Sequence, residues 1–402
     1  MLILYIPYFL RRNKSLNFIV PVNKENIYKE YNFSSLHESF NNAKDFIDKS
    51  LNGILINDKN KFNFSSNPLV SVVIPVFNIG KYINNAIKSI QNQELFNLEI
   101  ILVNDYSSDN SLNIIEQLQI EDPRIQIINN KKNMGILYSR SIGALSSKGK
   151  YIFPLDNDDM LLDKDVLTTI TNIAKEGNFD IVEFKAIQTW RRSLNQIFNN
   201  RIETANFANH TLNLVLYQPE LSTFPIQPGD SIDKYNLISC YLWAKCIKTT
   251  IYKKALNSIG EEKYSRFMIA WEDKITMVFL FNTANSYKFV GKYGILHLKT
   301  FYSGYWKTKQ IDMNLVDLYL ADISLDFVKD TDGYKKLIPN LVYAALNIKS
   351  LEEIIKMDDK YKKILFSCLD RFLKLSFISS DYKNIIINKT KSLTFLDYNY
   401  YN

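Results

Sequence analysis

Between Val70 and Leu155 the chain repeats one pattern: a short run of aliphatic residues, an abrupt polar turn, then apolar residues at helical spacing. The runs are VSVVIP (residues 70–75), LEIILV (98–103), IQII (125–128) and YIFPL (151–155). Each is too short for a helix and nearly continuous in apolar character, so each reads as a strand buried on both faces. Between them Tyr82, Ile83, Ala86, Ile87 and Ile90, then Leu112, Ile115 and Leu118, then Ile136 to Leu145, recur as one face of a helix would. Pro75 ends the first run, Asn78 with Gly80 turns the chain, Asp109 or Ser108 caps the second helix, and Gly149 closes the third. This alternation predicts an α/β fold: a mostly parallel, Rossmann-like, doubly wound sheet flanked by helices. Such a sheet binds ligands in the crevice at the carboxyl ends of its strands.

The residues expected at those ends are polar and acidic. YIFPL runs straight into Asp156, Asn157, Asp158 and Asp159. Three carboxylates at the end of a buried strand are costly to desolvate unless a cation neutralises them. Oxygen ligands suit Mg²⁺ or Mn²⁺, ions that commonly hold phosphates. The alternative is a solvated turn rich in Asp and Asn. Pro75, Val76, Phe77 and Asn78 follow the first strand, and Asn104 and Asp105 follow the second, so they line the same crevice.

The 402 residues suffice for two domains, or for one with large extensions. Residues 1–66 read as an N-terminal extension, 67–300 as the main domain and 301–402 as a mainly helical C-terminal region. The opening MLILYIPYFLRRNK has an apolar run too short to span a bilayer, and it lacks the order of a signal peptide. It reads as a buried strand or an interfacial anchor. Ser34 to Leu51 has helical spacing, with Ser34 or Ser35 as its cap. Further on, Val166 to Ala174 is helical, Phe179 to Phe184 is a strand, and Trp190 to Asp230 has no clear period. Tyr287 to Leu298 alternates like an edge strand. The net charge of +7 fits an anionic small substrate or a membrane surface, and no arginine-rich stripe argues for nucleic acid. Cys240, Cys246 and Cys368 match no zinc or redox spacing, so free thiols in a reducing, cytoplasmic compartment are expected.

Four segments coincide in order: VSVVIPVFN (70–78), ILVNDYSSDNS (101–111), NMGILYSRSIG (133–143) with FPLDNDDM (153–160), and WEDK (271–274). This set resembles the family 2 glycosyltransferases, which have the GT-A fold. The likeness is strong over residues 69–165 and looser over 235–300. Asn104 stands where the family has a first Asp, Tyr106 where it has Gly, and Ser139 and Ser141 flank Arg140 in place of Ala and Asn. The resemblance implies that the Pro75–Asn78 loop and Asp105 hold a nucleotide base, that Asp158 and Asp159 face the ribose and the metal, and that Asp156 lies nearby against the nucleotide sugar. Arg140 offers a planar cationic fork to base or diphosphate, or else makes an ion pair. The family places its catalytic base in a Glu-Asp pair, here Glu272 and Asp273, with Asp273 as the base. His297 is a further candidate for the metal, or a structural histidine. Trp243 and Trp271 are candidate sugar platforms on the acceptor side, or core residues.

The expected activity is therefore metal-dependent inverting transfer of a sugar from a nucleoside-diphosphate sugar, UDP-sugar first, to a hydroxyl of a glycan, lipid or protein acceptor. The cofactor is Mn²⁺ or Mg²⁺, and the protein works in the cytoplasm or peripherally at the inner face of the membrane. A nucleotidyltransferase on a similar sheet is one alternative, disfavoured because Val76 to Gly80 is no Gly-rich, Lys-bearing phosphate loop. A non-catalytic carbohydrate-binding or scaffold homologue is the other.

Overall fold

The structure is a computed structural model that describes residues 45–53, 61–63, 65–190, 212–215, 223–225, 241–268, 272–299, 318–326, 342 and 359–391. The apolar start, the Ser34 or Ser35 cap, Cys240 and Trp271 lie outside the described residues.

The predicted strands and helices form in the predicted order. Strand β1 is Val70–Val76, helix α1 Gly80–Gln91, β2 Leu98–Asn104, α2 Ser111–Glu121, β3 Ile125–Asn129, α3 Ile136–Ser146 and β4 Tyr151–Pro154. β1 pairs in parallel with β2 and with β4, and β2 in parallel with β3. The sheet therefore starts in the order β3-β2-β1-β4, which puts the ends of β1, β2 and β4 side by side. The two sets of alternating side chains enter different cores. Val72, Ile74, Ile100, Leu102 and Phe153 pack with α1, α2 and helix α4 (Val166–Glu176). Val73, Ile101, Val103 and Ile152 pack on the other face with α3.

The second half extends the same sheet. β5 is Met160–Leu161, β6 Ile181–Trp190, β7 Leu212–Val215, β8 Thr223–Pro225, β9 Lys245–Lys248 and β10 Ser286–Lys299. The order continues β9-β6-β10-β5, with β7 on β6 and β8 on β10. β9 runs antiparallel to β4 and β6, whereas β6 and β10 are parallel. β10 is thus not the edge strand its alternation suggested. It pairs with β6 along one side, and with β8 and β5 along the other. Alternation reports one covered face, and it cannot tell an edge from the interior.

Helix α5 (Thr249–Ile259), the short α6 (Glu261–Tyr264) and α7 (Asp273–Thr283) join the core of α3. The helical residues 318–324, α8 (Asp359–Leu373) and α9 (Ser380–Lys391) complete that core through Leu320, Ile323, Leu369, Phe372 and Ile386. No helix among the described residues is long and apolar enough to cross a membrane.

Candidate active site

The loops after β1 and β2 are laced together by side chains. Oδ1 of Asn78 accepts from the backbone N–H groups of Ser108 (2.8 Å) and Asp109 (3.3 Å), and the N–H of Asn78 donates to Ser107 Oγ (3.2 Å). Asp109 accepts from the Ser111 N–H at the start of α2 (2.9 Å) and from the Gly80 N–H at the start of α1 (3.2 Å). The cap position of α2 is Asn110 and not Asp109 or Ser108; Asp109, one residue earlier, instead holds the first N–H of both helices. Burial raises its pKa, and these hydrogen bonds outweigh that and hold it below the usual value. Asn78 and Tyr106 both adopt positive φ, 50° and 62°. The second value accounts for the glycine the resembling family carries at that position. Phe77 and Tyr106 are exposed at the mouth of the crevice.

Asp105 is buried, and its carboxylate organises the start of α3. It accepts from the N–H groups of Met134 (2.8 Å) and Gly135 (2.8 Å) and from Asn130 Nδ2 (2.8 Å). Its expected role at a nucleobase thus comes with a structural one. Asn157, which carries no role in the sequence reading, donates from Nδ2 to the Pro75 carbonyl (2.8 Å) and ties the acidic loop to the β1 loop. Its place inside the DNDD run was the only signal available.

Arg140 lies one turn into α3 and is buried. Its Nε donates to Glu272 Oε1 (3.1 Å) and its Nη2 to Asp156 Oδ1 (2.8 Å), while Asp273 Oδ1 is 3.9 Å from Nη2. The guanidinium joins the acidic loop to the Glu272–Asp273 pair, which is the ion-pair alternative in a buried form. Burial opposes its charge, but Glu272, Asp156 and Asp273 keep it firmly protonated. Burial, and then the neighbouring Glu272, push the Asp273 carboxyl well above the usual range, with Arg140 working against them. Asp273 Oδ1 is buried without a hydrogen-bond partner among the described residues. It can therefore accept a proton or hydrogen bond from an incoming group.

On the other side of Asp156, ligand atoms of Asp156, Asp159 and His297 lie within 4.8 Å of one another. Two carboxylates and an imidazole suit Mn²⁺ well and Mg²⁺ less well. Nδ1 of His297 is 2.9 Å from both oxygens of Asp159. Burial lowers the pKa of this histidine, and Asp159, then Asp156 and Asp158, raise it to about 9. The cluster thus takes Asp156 where the sequence suggested Asp158; Asp158 is buried in the same loop but is not a member. A residue two places along a turn need not face the same way as its neighbours.

Trp243 does not offer a sugar platform. It is 2% exposed, and its ring stacks with Tyr241 (4.8 Å) and with His297 (4.7 Å). It orients the histidine from the core. Lys245 is likewise internal, paired with Glu183 at 3.1 Å.

Residues 71–220 match the family model described as Glycosyl transferase family 2. An uncharacterized glycosyltransferase of Haemophilus influenzae is 41% identical over 28% of this chain and 34% of its own length. The chain thus spans about a third of that relative. Cholesterol galactosyltransferase of Borreliella burgdorferi is 28% identical over 78% of this chain and 86% of its own. Among solved structures, S. aureus TarS 1-349 in complex with UDP-GlcNAc has a TM-score of 0.53 at 15% identity, covering 81% of this chain and 88% of that one. That likeness shows a shared fold.

Proposed function

From its match to the Glycosyl transferase family 2 model over residues 71–220, we propose that this chain is a metal-dependent inverting enzyme that moves a sugar from a UDP-sugar to an acceptor hydroxyl. The observation that supports this most is Arg140, which bonds Asp156 of the acidic loop and Glu272 of the Glu-Asp pair. One cation thereby sets the distance between a phosphate-side cluster and a base. Asp156, Asp159 and His297 would hold Mn²⁺ or Mg²⁺. The bound ion would neutralise charge on the departing diphosphate.

The chain's own residues do the remainder. The Pro75–Asn78 loop, Asp105 and the exposed Phe77 receive the nucleoside end of the donor. The acceptor O–H gives its proton to Asp273. The acceptor oxygen forms its bond to the anomeric carbon, and the bond from that carbon to the diphosphate oxygen breaks, the electron pair leaving with the diphosphate. Attack from the face opposite the leaving group inverts the anomeric centre. Glu272, held by Arg140, orients the acceptor side and keeps the base buried and directional.

TarS was solved with UDP-GlcNAc, and the galactosyltransferase relative is aligned over most of its length. UDP-GlcNAc and UDP-galactose are therefore the first donors to test, and cholesterol is the first acceptor. The test is a thermal-shift panel of these donors with Mn²⁺, followed by UDP release and product analysis. No stabilisation and no UDP release with any donor would sink the proposal. Release of pyrophosphate from a nucleoside triphosphate would replace it with nucleotidyl transfer.

A further inference from the structure

We infer that Arg266 and Asp322 are a positioning pair, through which the C-terminal helices hold residues 266–268 against the start of α3, the helix whose Arg140 holds Glu272. The inference rests on the reading of Glu272 and Asp273 as catalytic.

Arg266 is buried, and its Nη2 donates to Asp322 Oδ2 at 2.7 Å. Its guanidinium sits 5.1 Å from the centre of the Tyr319 ring. Asp322 also accepts from Arg371 Nη1 of α8, at its Oδ1 (3.2 Å) and its carbonyl (3.3 Å). Arg371 and Lys263 both pair with Asp326. Three stretches far apart in sequence, 263–266, 322–326 and α8, are thus cross-linked by charge.

The cross-link lies two residues from a contact that reaches the active site. The carbonyl of Met268 accepts from the N–H of Ile136 at 2.9 Å. Gly135 packs so closely there that an added Cβ would stand 2.6 Å from the Met268 oxygen. Ile136 opens α3, and Arg140, one turn later, bonds Glu272. Only three residues separate Met268 from Glu272 in the sequence. Arg266 therefore anchors one end of a run of contacts: Met268, Ile136, Arg140, Glu272. A shift of the 266–268 backbone reaches the base through α3.

Burial of such pairs argues for geometry over stability. A buried ion pair loses much of its Coulomb gain to desolvation, so well-packed apolar residues would hold the helices down as firmly. What the pair adds is direction, because a guanidinium fork fixes its partner in angle as well as distance.

The test compares full-length Arg266→Met, Asp322→Asn and Arg266→Lys with Leu369→Ala, which weakens the same helices in their apolar core. Turnover of the best UDP-sugar with Mn²⁺, donor KM, UDP affinity by calorimetry and Tm are measured for each. For Arg266→Met and Asp322→Asn, kcat should fall by about 10- to 100-fold, the scale of a small misplacement of reacting groups. Donor KM and UDP affinity should change by less than kcat does, because Arg266 and Asp322 themselves bond none of the donor-loop residues. Arg266→Lys should recover part of kcat. Leu369→Ala, with an equal or larger loss of Tm, should keep kcat within about threefold. Equal loss of kcat in Leu369→Ala at matched Tm, or full kcat in folded Asp322→Asn, overturns the positioning role. Asp273→Asn, run alongside, separates the two layers: its full activity overturns the catalytic pair itself, whereas its inactivity beside an active Asp322→Asn overturns only the positioning role.

Discussion

Nε of Arg140 stands 3.1 Å from Oε1 of Glu272, across 132 positions of sequence. With Asp156 on its Nη2, this side chain is the one cation that the described carboxylates of both loops share. Removing it takes the cationic partner from the buried Glu272 carboxylate, and breaking a buried pair typically costs about 3–5 kcal/mol. Arg140→Met is therefore expected to be severely destabilised, with a matching loss in denaturant midpoint. Arg140→Lys should lie between, because a point charge cannot serve two carboxylates at fixed angles. Wild-type stability in Arg140→Met would show that the pairing is not worth what its burial implies.

Gly135 gives a sharper backbone test. Its φ is 88°, and a Cβ would meet the Met268 oxygen at 2.6 Å and nitrogen at 2.7 Å. Both contacts are backbone, so no side chain can swing aside. Gly135→Ala combines left-handed strain of about 1–3 kcal/mol with that clash. A lower Tm is expected together with a lower kcat, since the displaced strand of contacts leads to Glu272. A Tm within experimental error of wild type would show that the turn relaxes freely.

Much of this was legible in the sequence. The parallel half of the sheet followed from four buried runs and the helical spacing between them, because period and turn residues are local signals. The Pro75–Asn78 loop, Asp105 and Asp156 follow neighbouring strands, as the strand order requires, and Arg140 reaches Asp156 from α3. The partners of Arg140 were not legible: a buried ion pair across the chain leaves no local mark. Nor was the burial of Trp243 against Tyr241 and His297, because a sugar platform and a core tryptophan have the same composition. β10 misled for a related reason, as its partner strands β5 and β8 are too short to signal themselves.

The metal cluster separates neighbouring carboxylates. Asp156, Asp159 and His297 converge, and Asp158 does not join them. Mn²⁺ affinity in the presence of UDP should fall by roughly 10-fold or more in Asp156→Asn, Asp159→Asn and His297→Gln, each losing one ligand. Asp158→Asn should change it little. Calorimetry or counting of free Mn²⁺ by electron paramagnetic resonance reads this directly. A large loss in Asp158→Asn with none in Asp156→Asn would return the site to the assignment suggested by sequence.

Asp273 supplies the test of the chemical step, because its two expected effects have opposite signs. Its pKa is raised, by burial first and by Glu272 second. The folded state therefore binds its proton more readily than the unfolded chain does. Stability from this group is greatest below the ordinary carboxylate pKa, and it is lost as pH rises through the raised value. Once ionised, the carboxylate is a burden on the fold that Asp273→Asn removes. Asp273→Asn should thus match or exceed wild type in Tm at pH 7, with the difference vanishing under acid conditions. Catalysis needs the same ionisation that stability resists. The kcat/KM of wild type should decline on the acid side at a pH above the ordinary carboxylate range, and kcat of Asp273→Asn should fall by about 10²–10⁴-fold. Donor and metal affinity should be nearly unchanged, because Asp273 is not among the clustered candidate ligands Asp156, Asp159 and His297. A variant that is more stable, binds donor and does not turn over identifies a base. A rate within a few-fold of wild type would move the role to Glu272, whose carboxylate Arg140 already holds in place.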